Sequence, residues 1–221
     1  MGRGLQVVHS QFLEASFSVM GALCKADGVV TRDEIRVTQE LFERLQLTEA
    51  QKHEAQEAFR RGKAPGFDID AAVDAFAVSA RRSRVLFTLF LQMQLSAVAA
   101  DGEVHPAERD LLVRVARRLG LGEGDLAQLE ALLRAVGAGG AREASGPPSP
   151  ARLEDAYAAL GVTPEASESE VKSAYRKLIR DNHPDRIASK GLSESMRAMA
   201  EQRARDINAA YELIKRARNF G

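Results

Sequence analysis

Glu170-Val171-Lys172-Ser173-Ala174-Tyr175-Arg176-Lys177-Leu178-Ile179-Arg180-Asp181-Asn182-His183-Pro184-Asp185 is the stretch on which the reading of this chain turns. At 3.6 residues per turn, Val171, Ala174, Tyr175, Leu178 and Ile179 share one face of a helix, and Lys172, Arg176, Lys177 and Arg180 occupy the other side. Ser167, three residues before Glu170, forms a capping-box pattern that starts the helix. Pro184 forces Asn182 and His183 out of the helix and fixes a rigid, exposed turn. Downstream, Ile207, Ala210, Tyr211 and Ile214 make a facing stripe, with Met196, Met199 and Ala200 before it. Two antiparallel helices can zip those stripes together and leave a basic ridge outside.

Working outward, Tyr157-Ala158-Ala159-Leu160-Gly161-Val162 precedes this helix, and Asp206-Ile207-Asn208-Ala209-Ala210-Tyr211-Glu212-Leu213-Ile214 follows it. A lone His-Pro-Asp tripeptide is weak evidence. In this order and spacing, residues 153–218 closely resemble the J domain of the DnaJ family. The resemblance implies a co-chaperone that recruits a DnaK-type chaperone and stimulates its ATP hydrolysis. It implies that Lys172, Arg176, Lys177 and Arg180 dock on an acidic surface of that chaperone, and that His183, Pro184 and Asp185 signal to its ATPase and interdomain linker. Taken alone, the basic face reads as a solvated helix surface; joined to His-Pro-Asp at the helix end, it reads as a docking face. His183 has no second His or Cys nearby, so no catalytic residue is assigned and the chain is read as a non-enzyme. Ala204 stands where many J domains place a buried Phe, and Phe220 is the candidate to compensate. Neither a Gly/Phe-rich region nor a Cys-x-x-Cys zinc module is present, so specificity must come from the rest of the chain.

A boundary lies at Gly137–Pro150, where four glycines and three prolines fall within fourteen residues. Such a segment holds no helix and packs no core, which predicts a flexible linker over 137–150 between a domain at 8–136 and a J domain at 151–221. A Gly/Pro linker transmits little packing energy, so the two domains are expected to melt independently.

The first domain contains an internal repeat at an offset of 74 residues. Ala26-Asp27-Gly28-Val29-Val30-Thr31-Arg32-Asp33-Glu34 matches Ala100-Asp101-Gly102-Glu103-Val104-His105-Pro106-Ala107-Glu108, and the match runs on through Arg44/Arg118, Leu45/Leu119 and Leu47/Leu121. Each copy reads as a helix, an Asp-Gly turn and a second helix closing on Leu-x-Leu, and two such hairpins can bury their apolar stripes against each other. Thr31 and Glu34 form a capping-box pattern, Thr48 can cap a helix to about Arg61, and Asp68 or Asp70 can start another through Ala80. Pro106 suits a first turn, and Gly120 and Gly122 stop the helix after Leu119. No β-strand pattern appears. The expected fold is all-α: a pseudo-symmetric bundle of about seven helices, then three or four in the J domain.

The duplicated hairpins resemble the TerB, or tellurite-resistance B-like, domain, and a TerB-like domain followed by a linker and a J domain resembles the DjlA type of membrane-associated bacterial co-chaperone. That resemblance implies divalent-metal binding through acidic residues, for which Asp27, Glu34, Asp101 and Glu108 are the candidates. The residues themselves favour helix capping. A calcium loop needs oxygen ligands two and four positions before each Asp, and Lys25, Leu23, Ala99 and Ala97 stand there. Weak divalent binding or none is expected, and no other cofactor.

The bulk properties set limits on partners. Among 221 residues, Lys+Arg and Asp+Glu both total 31, so no overall field draws the chain to nucleic acid or a membrane. The stretch Val85–Ala100 is interrupted by Thr88, Gln92, Gln94 and Ser96 and falls short of the ~20 residues of a spanning helix; it reads as a central bundle helix. Cys24 excludes an internal disulfide and reads as a small buried hydrophobe. The expectation is a cytoplasmic protein, placed at the cytoplasmic face of the bacterial inner membrane if an N-terminal anchor like that of its relatives is missing here. Its partners are a DnaK-type chaperone, a client protein and, as a further option, a second copy. Two readings of the first domain stay open: targeting or client recognition, and a metal or stress sensor that gates the J domain.

Overall fold

A computed structural model describes residues 2–25, 39–43, 45–99, 104–137, 148–182 and 193–220. The described helices are α1 (Gly2–Leu23), a helical piece at 39–43, α2 (Glu49–Gly62), α3 (Ile69–Ser79), α4 (Arg84–Val98), α5 (Pro106–Arg118), α6 (Glu123–Val136), α7 (Pro150–Leu160), α8 (Glu168–Asp181) and α9 (Glu194–Arg218), and no strand occurs among the described residues. The protein is all-α, as its periodicity predicts.

Local chemistry sets the helix ends. Thr48 and Gln51 form a reciprocal capping box at α2, and Asp68 accepts from the Ala71 amide at α3. At α5, His105 is the N-cap, Pro106 takes the first turn, and the Glu108 carboxylate accepts from the His105 amide at 2.9 Å. The Thr31/Glu34 pair lies outside the described residues.

The repeat is visible in three dimensions where both copies are described. Gln46 donates to the carbonyl of Glu43 and Leu47 to that of Phe42; 74 residues on, Gly120 donates to Arg117 and Leu121 to Ala116. Each Leu-x-Leu is thus one Schellman-like close with its middle residue left-handed, Gln46 at φ 51° and Gly120 at φ 72°. Leu45, Leu47, Leu119 and Leu121 are all buried.

The symmetry breaks at α2 and α6. On α1 and α2, Gly21 and Gly62 let backbones meet: a Cβ on Gly62 would sit 1.8 Å from the Ser18 carbonyl oxygen, and one on Gly21 would sit 2.1 Å from that of Phe59. The positions 74 residues on are Leu95 and Val136, whose side chains forbid the same approach. So α2 lies tight along α1, whereas α6 touches α4 less and turns Ala131, Leu132 and Ala135 towards α7.

Around α4 the core is closely packed, with Phe12, Phe76, Phe87 and Phe90 in edge-on and stacked contacts. Gln94, one of the polar residues interrupting the central stretch, is buried and donates to the Ser16 carbonyl at 3.0 Å, joining α1 to α4. Cys24 is fully buried. Among the described residues no helix is long and apolar enough to cross a membrane.

Two independent bodies are not what the structure shows. Residues 138–147 of the expected linker lie outside the described residues, and Ser149 already caps α7. Ala131, Leu132 and Ala135 belong to the same apolar cluster as Tyr157, Leu160, Val171, Ile207 and Ile214, while Met196, Met199 and Ala200 of α9 join the core of the first bundle. Gln128 donates to the Ala159 carbonyl at 2.9 Å, Arg152 to the Ala135 carbonyl at 2.7 Å, and Arg134 pairs with Asp155 at 2.9 Å. Linker composition cannot report this, because the docking surfaces are helix faces on either side of it.

Candidate functional site

The helix of interest is α8. Ser167 caps it, and its hydroxyl and amide hold the Glu170 carboxylate below the usual range, so the first turn stays negative where the helix dipole favours it. Its apolar face packs on α9: Val171 is fully buried, the Tyr175 ring stacks on Tyr211 at 4.1 Å, and the Tyr175 hydroxyl donates to Asn208 at 2.8 Å. This is the antiparallel pair expected from the two stripes. Phe220 folds back beside Tyr211, with the Lys172 ammonium 5.6 Å from its ring centre. It therefore covers the end of the pair opposite Ala204 and does not fill that position.

Lys172, Arg176 and Arg180 are spaced four residues apart and form one stripe along α8. Lys172 pairs with Glu168, Arg176 is exposed, and Arg180 is exposed with Asp181 at 3.7 Å. Ion pairs of that kind, on an exposed helix face, contribute little to stability. Lys177 lies on a neighbouring face and lines a cleft of about 550 Å³ between the two halves, together with Arg84, Asp125, Asp181 and Arg203. His183, Pro184 and Asp185 lie outside the described residues; Asn182, the last described residue before them, is buried at the end of α8.

Sequence reasoning missed Arg203. It is 5% exposed, and burial pushes its guanidinium down to about 10. Its Nε donates to Asn182 Oδ1 at 2.8 Å and its Nη1 to Gln92 Oε1 on α4 at 2.9 Å. The signal was present: 196, 199, 200, 203, 207, 210 and 214 follow helical spacing, which puts a charged residue on the apolar stripe. Among the metal candidates, Asp27, Glu34 and Asp101 lie outside the described residues, and Glu108 is buried as the capping partner of His105.

A family model described as Tellurite resistance protein TerB matches residues 13–131, and one described as DnaJ domain matches residues 155–219. The Co-chaperone protein DjlA of Vibrio cholerae serotype O1 is 39% identical over 96% of this chain and 80% of its own length. That of Shewanella oneidensis is 38% identical over 95% and 79%, and that of Haemophilus influenzae 35% identical over 95% and 80%. This chain belongs to the DjlA family. Within that family its role is that of a co-chaperone, with a TerB-like bundle preceding the J domain. No solved structure matches it.

Proposed function

We propose that this DjlA-family chain recruits a DnaK-type chaperone through α8 and stimulates its ATP hydrolysis through His183-Pro184-Asp185, with the TerB-like bundle supplying targeting or client specificity. The observation that carries this reading is the stripe Lys172, Arg176, Arg180, which runs along one side of α8 and ends three residues before that tripeptide. A basic helix face steers an acidic partner, and the Asp185 carboxylate can offer a charge-assisted bond to a cation on it. On this reading the hydrolytic chemistry belongs to the partner chaperone, and this chain supplies docking and the activating tripeptide.

Single-turnover ATP hydrolysis by a purified DnaK-type chaperone tests the reading. His183→Gln is expected to abolish stimulation with an unchanged melting curve; stimulation equal to the parent would overturn it. Arg176→Glu is expected to slow association more than it speeds dissociation, and the parent's binding should weaken steeply with salt, because exposed charges are screened over roughly 8–10 Å at physiological ionic strength. Normal binding by Arg176→Glu at low salt would remove the stripe from the docking surface.

A further inference from the structure

We infer that Arg203 is a positioning residue for the J-domain activity: it holds Asn182, the residue before His183-Pro184-Asp185, and through Gln92 it makes that hold depend on the TerB-like bundle. The inference rests on the function proposed above and adds to it a residue and a route between the two halves.

The geometry is specific. A guanidinium is a rigid fork, so donors at Nε and Nη1 fix two acceptors at a set separation and angle. Here the acceptors are Asn182 Oδ1 at the end of α8 and Gln92 Oε1 on α4, 21 and 111 residues away in sequence. Asn182 is pinned from its other side as well, since its Nδ2 donates to the Leu178 carbonyl at 2.8 Å and its amide to the same carbonyl at 3.0 Å. The residue from which the tripeptide departs is therefore held at every polar atom of its side chain. Upstream on α9, Met196, Met199 and Ala200 are set in the core of the first bundle, so the backbone carrying Arg203 is itself anchored there.

A purely structural role fits the site poorly. Both acceptors are neutral amides, while burial opposes the charge, and the carboxylates of Asp206 and Asp125 act on it only through space. An apolar side chain of similar length would fill the volume without a charge to desolvate, and such exchanges are often neutral or stabilising. What an apolar residue cannot do is join Gln92 to Asn182.

The test uses the full chain with Arg203→Met, Arg203→Lys, Gln92→Leu and Gln92→Glu. Each is measured for melting temperature, for chaperone ATPase stimulation against concentration, and for the NMR amide signal of His183. Arg203→Met and Gln92→Leu are expected to shift the His183 signal and to lower maximal stimulation about tenfold. The half-saturating concentration should change less than about threefold, because Lys172, Arg176 and Arg180 are untouched. Gln92→Glu, which keeps an acceptor for the guanidinium, should retain stimulation; Arg203→Lys, with one compact donor centre, should not. Gln92 is only half-buried, so its variants remain informative if Arg203→Met unfolds. Full stimulation by Arg203→Met or Gln92→Leu, or a His183 signal unmoved by Gln92→Leu, would overturn the inference. A parent chain that fails to stimulate would instead sink the proposed function, and this inference with it.

Discussion

His9, half-buried on α1, has its Nε2 enclosed without a hydrogen-bond partner among the described residues. Burial holds its pKa below the ordinary 6.5, opposed in part by the nearby Glu54 carboxylate. Between the folded value and 6.5 the unfolded chain binds more protons than the folded one, so stability rises with pH across that window and falls as pH drops below 6.5. The melting temperature is expected to be lower at pH 5.5 than at 7.5, and His9→Gln should flatten the slope; equal slopes in the two proteins would remove His9 as its cause. The residue scale also shows where single positions escape a reading of sequence. Ala204 drew attention as a missing aromatic, yet its neighbour Arg203 carries the consequence, because charge on an apolar stripe matters only once its acceptors are known.

At the scale of helices, the pairing of α1 with α2 depends on Gly21 and Gly62 more than on any apolar contact, since only absent side chains permit that backbone approach. Gly62→Ala is expected to destabilise the protein by roughly 1–3 kcal/mol, the usual range for forcing atoms into a packed site. Gly124→Ala on α6, where a Cβ meets nothing within 4 Å, should stay within about 0.5 kcal/mol of the parent. Urea denaturation of both variants checks this, and equal stability would mean that α2 can slide off α1 at little cost. Helix ends were legible in advance at Thr48, Asp68, Pro106, Gly120 and Ser167, because capping bonds join residues two to four apart. The break in symmetry was less legible. Matching Gly62 with Val136 needs the repeat offset, and its meaning appears only when α6 is seen to take α7 in place of a close fit on α4.

Across the whole molecule, the shared clusters and the Arg203 fork predict one cooperative unit where linker composition suggests two. The protein offers its own reporter: all three tyrosines, Tyr157, Tyr175 and Tyr211, lie beyond residue 150, and there is no tryptophan. Tyrosine fluorescence therefore follows the J-domain half alone, while circular dichroism follows every helix. The two melting curves are expected to coincide. Leu132→Ala, a change within the first bundle at a buried side chain facing α7, should move both downward together by about 2–5 kcal/mol of stability. Separate transitions, or a Leu132→Ala effect confined to one probe, would mean the halves dock too weakly to share stability. The helices, their caps, the stripes of α8 and α9 and the succession of a TerB-like and a J domain follow from the amino-acid order alone, because those features are written in spacings of a few residues or in a repeat that can be counted. That α6 carries α7, that α9 reaches into the first core, and that Arg203 binds both Gln92 and Asn182 emerges only in three dimensions. Those contacts join helix faces distant along the chain, and which faces remain uncovered depends on how closely earlier helices can approach.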